Sequence, residues 1–240
     1  MTKVKSPPSL LTLILLTALS TLSLNMFLPS LAYIATDLDA AYATVSLAIA
    51  GYLAVTALVQ LIVGPVSDRM GRRPVLLVAI AVFAGASFAC ALATDIWTFL
   101  FFRMLQGGVI TGYVLSLAIV RDTTSEREAA SLIGYISMAM AIAPMLGPML
   151  GGLLDAAFGW RATFYAYALC GLVLCLVCWG DLGETRPTTP ATQTPNLTRT
   201  RDLLTQPLFW AFSLCGTFST GAFYMFLASA HRLSRNRSLA

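Results

Sequence analysis

Charged residues in this chain come in clusters, and the distance between clusters limits the folds open to it. The uncharged intervals are 6–36, 40–67, 75–94, 96–102 with 104–120, 129–154, 162–180 and 203–230, seven in all. Six of the seven hold about 20 residues or more, the length a helix needs to cross a hydrocarbon core roughly 30 Å thick. Seven crossings are implied. The fourth requires Arg103 to lie inside it, because 104–120 alone is 17 residues, at the bottom of the usual range. Strands of a membrane barrel would read as short alternating segments, which these continuous apolar runs are not. With 11% charged and 58% apolar residues, the chain cannot cover a soluble domain of its size with polar surface, so its surface faces lipid.

The first run has the outline of a secretory signal, with Lys3 and Lys5 ahead of Leu10 to Leu28. A signal's apolar core is typically 7–15 residues and ends at a small-x-small site. This run continues through Asn25 and Pro29 to Ile34, so it reads as a retained span. Alternating the spans across a bilayer puts Lys3, Lys5, Arg69, Arg72, Arg73, Arg121, Arg127, Arg186, Arg199 and Arg201 on one side and, before residue 231, only Arg161 on the other. The positive-inside rule then makes the N-terminus cytoplasmic. Net charge +4 reports this orientation, and no nucleic-acid partner is expected. All five cysteines (Cys90, Cys170, Cys175, Cys178, Cys215) fall inside apolar runs, as small buried hydrophobes do. Cys175 and Cys178 have metal-site spacing without His or carboxylate neighbours, so no metal is expected. No span offers a nucleophile with a base or a His/carboxylate cluster, which argues against an enzyme.

Six spans fill residues 8–180 as one bundle. Residues 181–202, rich in Thr and Pro, cannot form an apolar core and read as an exposed cytoplasmic linker. One more span, 203–230, follows, and 231–240 is a basic tail containing His231, Arg232, Arg235 and Arg237 on the side where the charge rule disfavours it. A solitary helix after a linker more naturally begins a second bundle than completes the first, so the chain reads as incomplete.

The loop between spans 2 and 3 is Gly64-Pro65-Val66-Ser67-Asp68-Arg69-Met70-Gly71-Arg72-Arg73-Pro74. Gly71 permits a turn geometry closed to other residues, and the arginines anchor the cytoplasmic face. Asp68 ends span 2, where that helix's own dipole opposes an anion, so it is expected to answer an arginine or another helix's N-terminus. In span 4, Arg103 lies eight residues past Asp95, roughly 12 Å along a helix. Its guanidinium must reach an internal cavity or snorkel outward, with Gln106 and Gly107 on the same side. In span 5, Ala139, Ala143, Gly147 and Gly151 recur every four residues and form a face that allows close approach by another helix. Pro144 and Pro148 make this span bendable. In span 1, Pro29 frees the carbonyl of Asn25, whose side chain either enters a cavity or packs against polar neighbours.

Taken together these motifs resemble the major facilitator superfamily. The loop is similar to its G-x-x-x-D-R-x-G-R-R signature, which implies that Asp68, Gly71, Arg72 and Arg73 form a cytoplasmic gating latch between two six-helix halves. Arg103-Met104-Leu105-Gln106-Gly107 resembles the R-x-x-Q-G signature, whose arginine faces the central cavity and is associated with proton coupling. Gly147-Pro148-Met149-Leu150-Gly151-Gly152 looks like the G-P-x-x-G-G signature of drug and proton antiporters. Asn25-Met26-Phe27-Leu28-Pro29-Ser30-Leu31 resembles the D-M-Y-L-P-x-L stretch of Bcr/CflA-type multidrug efflux transporters, with Asn25 where many members carry an acid. Gly159-Trp160-Arg161 before span 6 adds to the match.

The resemblance implies an all-α polytopic membrane protein of the bacterial inner membrane: the N-terminal six-helix bundle plus one further transmembrane helix. It implies proton-coupled export of amphiphilic drugs or other small molecules, driven by the proton gradient without a cofactor. Asn25, Arg103 and Gln106 are the cavity and proton-coupling candidates, and Gly147, Pro148, Gly151 and Gly152 the antiporter motif. Expected partners are the lipid bilayer, an amphiphilic substrate, protons and a C-terminal bundle. The tail departs from the family pattern, as a truncation or altered reading frame would produce. The alternative function is a non-transporting membrane fragment that associates or interferes with a partner.

Overall fold

The computed structural model describes residues 9–183, 205–219 and 221–222. Six helical segments are long and apolar enough to cross a bilayer: span 1, Leu10–Asp37; span 2, Tyr42–Met70; span 3, Arg72–Leu92; span 4, Ile96–Thr123; span 5, Glu126–Phe158; and span 6, Arg161–Asp181. Arg103 lies inside span 4, as the charge spacing requires. The chain divides into one unit over Met1–Pro187 and another over Thr188–Ala240. In the second, residues 207–219 are helical, within the interval read as the seventh span. Most of the linker, the far end of that span and the basic tail lie outside the described residues.

Short connections fix the up-and-down order, and local chemistry ends each helix where the charge pattern predicts. Gly71 joins spans 2 and 3 with φ 97°, a left-handed conformation that glycine adopts without a Cβ penalty. Gly159 does the same between spans 5 and 6 with φ 79°. Asp95 opens span 4 by accepting the backbone N–H groups of Trp97 at 3.0 Å and Thr98 at 2.9 Å. The Thr98 side chain and backbone hold the Asp95 carboxyl below its ordinary range. Ser125 and Glu128 form a reciprocal capping box at the start of span 5. Span 5 then runs unbroken through Pro144 and Pro148 to Phe158.

Spans 1 and 4 sit innermost, with 61% and 56% of their apolar windows buried, against 22% for span 2 and 17% for span 5. Span 1 packs on spans 4, 5 and 6, and span 3 on span 6. Each end of the bundle is pinned by polar contacts. At one, Asp181 accepts from the Ser9 backbone N–H at 2.9 Å and the Thr12 hydroxyl at 2.6 Å, placing an anion at the start of span 1, where the helix dipole favours it. At the other, Arg161 pairs with Asp37, donates to the Ala93 carbonyl at 3.1 Å and stacks over Trp160 at 4.3 Å. From Trp160 an edge-to-face aromatic column runs inward through Phe99, Phe164 and Tyr167.

Candidate functional site

Arg103 is 0% exposed, so its cationic head is taken out of both lipid and water, and the bundle compensates it with dipoles and rings. One guanidinium nitrogen, Nη1, donates to Gln106 Oε1 at 2.7 Å, the i+3 neighbour that helix geometry places on the same side. The other, Nη2, donates to the Ser23 carbonyl of span 1 at 2.7 Å. Gln106 passes the chain on by donating to Ser87 of span 3 at 2.6 Å, and Ser87 donates to the Phe83 carbonyl at 2.7 Å. Phe27 and Tyr52 lie on the guanidinium at 4.1 and 4.2 Å from their ring centroids, a cation–π arrangement that strengthens when desolvated. The sequence left a cavity and a lipid-edge snorkel as the choices for Arg103. The structure gives a third arrangement, full enclosure between spans 1, 2, 3 and 4.

Ser23 is the hub of this cluster. Its hydroxyl pairs with the Tyr52 hydroxyl at 3.0 Å, and its carbonyl also accepts from Tyr167 of span 6 at 3.3 Å. Span 1 stops being α-helical just beyond, after Asn25, and resumes at Leu31 after a short turn of 3-10 helix over Leu28–Ser30. Pro29 sets the place, since it has no N–H to return to Asn25. The Asn25 side chain is itself buried, donating to the Thr21 carbonyl at 2.8 Å, and it faces span 5 instead of an open cavity. Its Oδ1 has no hydrogen-bond partner. The structure thus brings Arg103 and Gln106 into direct contact and seats Asn25 against a different neighbour.

That neighbour is the antiporter-like run. A Cβ added at Gly147 would stand 2.9 Å from the Asn25 Cβ, and one at Gly151 would run into the Met26 carbonyl oxygen. The small-residue face therefore has a partner inside the same bundle, at the point where span 1 is broken. Gly152 has nothing within 4 Å of its would-be Cβ and lines an open cleft of about 610 Å³ together with Pro29, Asp37, Asp155 and Trp160. Pro148 is half-buried between the two tight glycines.

At the loop end, Arg72 is 6% exposed and pairs with Asp122 at 2.5 Å and, more distantly, with Asp68 at 3.7 Å. Arg73 donates to the Trp179 carbonyl at 2.9 Å and lies over the Trp179 ring. Gly71 supplies the reversal that lets both arginines reach other helices. Asp122 did not emerge from the sequence. Its signal was an acid directly beside Arg121 at the end of span 4. Tyr52, Tyr167, Ser23 and Ser87 were also missed, because polar groups in apolar runs carry no mark of which helix they face. Among the described residues no group of three or more His, Cys, Asp or Glu side chains could hold a metal.

An enclosed arginine in span 4, a glycine-seated break in span 1 and an arginine-rich reversal between spans 2 and 3 place the three family-like motifs in one bundle of membrane-spanning helices. The family model of the Major Facilitator Superfamily matches residues 13–236, and the chain belongs to that superfamily, as a multi-pass membrane protein. It is 39% identical over 169 residues to the multidrug resistance protein MdtL of Escherichia coli O9:H4 (strain HS), covering 70% of this chain and 43% of MdtL. The MdtL of Shigella flexneri matches to the same extent. The alignment thus spans less than half the length of these curated relatives. Among solved structures, a bacterial homologue of the human lysosomal transporter Spinster, inward-facing and unoccupied, superposes with TM-score 0.68 at 19% identity, over 85% of this chain and 50% of that one. A D-xylose–proton symporter does so with TM-score 0.66 at 18% identity, over 84% and 54%. At those identities the likeness is one of fold.

Proposed function

We propose that the chain contributes the N-terminal bundle of a proton-coupled antiporter that exports amphiphilic drugs or related small molecules from the cytoplasm, with its N-terminus cytoplasmic. The observation that carries this reading is the seating of Gly147 and Gly151 on the backbone of span 1 at its break. A close, side-chain-free crossing lets two helices shift against each other where a broken helix lines a transport path. The likeness to MdtL supports the drug-export class, and the basic bias of one set of loops supports the orientation. In this superfamily alternating access rocks one bundle against another, so transport is assigned to this bundle working with a second.

The test compares sealed vesicles holding the 240-residue chain alone with vesicles holding it beside the portion of MdtL outside the aligned region. Both receive an imposed proton gradient and a fluorescent cationic amphiphile. Gradient-dependent movement in the paired sample, abolished by a protonophore, is the expected result. Failure of the folded pair to move the probe would refute antiport, and sustained movement by the chain alone would refute the need for a second bundle.

A second reading is a non-transporting membrane fragment that associates with a partner. It is favoured by the shallow burial of spans 2 and 5, which leaves Leu58, Leu61, Met145 and Met149 exposed.

A further inference from the structure

The open cleft lies at the Arg161 end of the bundle. Span 1 contributes Tyr33 and Asp37 to its lining, span 5 contributes Gly152 and Asp155, and Trp160 joins them. Both carboxylates stand where their own helix opposes them. Asp155 is in the last turn of span 5, which ends at Phe158, and Asp37 closes the short piece Leu31–Asp37; neither last turn carries a basic residue. A helix C-terminus favours a cation and disfavours an anion, so each of these carboxylates is stabilised only by a cation brought to it.

Asp37 has its cation. Its Oδ2 accepts from Arg161 Nη1 and, at 3.2 Å, from the Trp160 indole N–H, and the Arg161 guanidinium lies over the Trp160 ring at 4.3 Å. A carboxylate and an aromatic ring together hold a cation that the chain supplies. The cleft offers the same two partners again in Asp155 and Tyr33. Asp155 forms no ion pair with any described residue, and Tyr33 is 64% exposed. With Arg161 committed to Asp37, the cleft is left with an excess negative charge at Asp155. Its volume of about 610 Å³ lies in the range of small-molecule sites.

We propose that this cleft binds an organic cation, an amine or quaternary ammonium with an apolar body, with Asp155 as the counter-charge and Tyr33 as the cation–π face. A lone carboxylate beside an exposed ring suits a large, weakly hydrated cation, whereas a divalent metal ion takes several oxygen ligands. Every lining group belongs to this one bundle. Occupancy therefore does not depend on the antiport reading, and binding holds even where transport fails.

Equilibrium dialysis of the purified 240-residue chain in uncharged detergent against radiolabelled tetraphenylphosphonium tests it, with protein-free micelles as background. The parent binds the probe above background. Asp155→Asn, which keeps the shape and removes the charge, weakens binding roughly fivefold. Tyr33→Ala weakens it roughly threefold, and Tyr33→Phe, which keeps the ring, does not. Gly152→Leu fills the cleft from a position whose would-be Cβ meets nothing and weakens binding about tenfold. Asp39→Asn, a neighbouring exposed carboxylate outside the cleft lining, leaves binding unchanged, and magnesium does not displace the probe. No binding above background, parental affinity in Asp155→Asn or Gly152→Leu, an equal loss in Asp39→Asn, or displacement by magnesium as readily as by unlabelled probe would each overturn the site. If Gly152→Leu does not fold, the Asp155 and Tyr33 arms decide the proposal by themselves.

Discussion

Adding one methyl group at Gly151 tests the contact on which the transporter reading rests. A Cβ there would run into the Met26 carbonyl oxygen and stand 2.7 Å from the carbonyl carbon. Both obstacles are backbone, so no rotamer change relieves them, and span 5 must move off span 1 along the shared crossing. Overpacking a well-packed interior costs about 1–3 kcal/mol, and an obstacle of rigid backbone puts Gly151→Ala at about 3 kcal/mol. For a chain of this size that is a fall in Tm of about 6–12 °C. Gly152→Ala is the control in the next position: its Cβ meets nothing within 4 Å, so its stability changes by less than about 0.5 kcal/mol. Gly147→Ala falls between, because its obstacle is the Asn25 side chain at 2.9 Å. In a background with the exposed Cys170 and Cys215 and the half-buried Cys175 replaced by Ser, heating purified protein with a thiol-reactive dye reads the transition, since Cys90 and Cys178 are fully buried until the bundle opens. Equal stability of Gly151→Ala and Gly152→Ala would refute the close crossing and, with it, the structural basis given to the antiporter-like run.

Arg103→Ala strips Ser23 and Gln106 of a charged donor and empties the space between two rings, so it lowers stability by about 3 kcal/mol. Arg103→Lys, which keeps charge but not the planar fork, loses less, and a thermal ranking that places Lys at or below Ala would refute the account. A double-mutant cycle on Arg72→Gln and Asp122→Asn returns a coupling of about 1 kcal/mol, whereas the cycle of Arg72 with the largely exposed Asp68 returns less; the reverse order would show that Asp122 is not the main partner. For topology, single cysteines at positions 39 and 157, both exposed, react with an impermeant maleimide added outside intact cells, and those at 70 and 192 do not. Labelling of position 192 from outside would overturn the cytoplasmic N-terminus.

The six crossings between residues 10 and 181, the inclusion of Arg103 in the fourth and the four-residue glycine period are all local properties, and the sequence by itself determined them. Charge spacing measures helix length directly, because a charge is costly in hydrocarbon wherever the chain folds. A period of four defines a helix face whatever packs on it. The partner of that face was a matter for the tertiary structure. Gly147 and Gly151 meet span 1, more than 120 residues earlier, and nothing in either segment names the other. Arg103 makes the same point: hydropathy marked it as an intramembrane cation, but the Ser23 carbonyl it binds is 80 residues away and is a backbone group that any residue type would supply. Asp122 and Tyr167 stayed hidden for a related reason, since their roles come from where spans 4 and 6 lie against loop 2–3 and span 1. Periodicity and charge are fixed residue by residue, whereas pairing between helices is settled by the joint packing of all six.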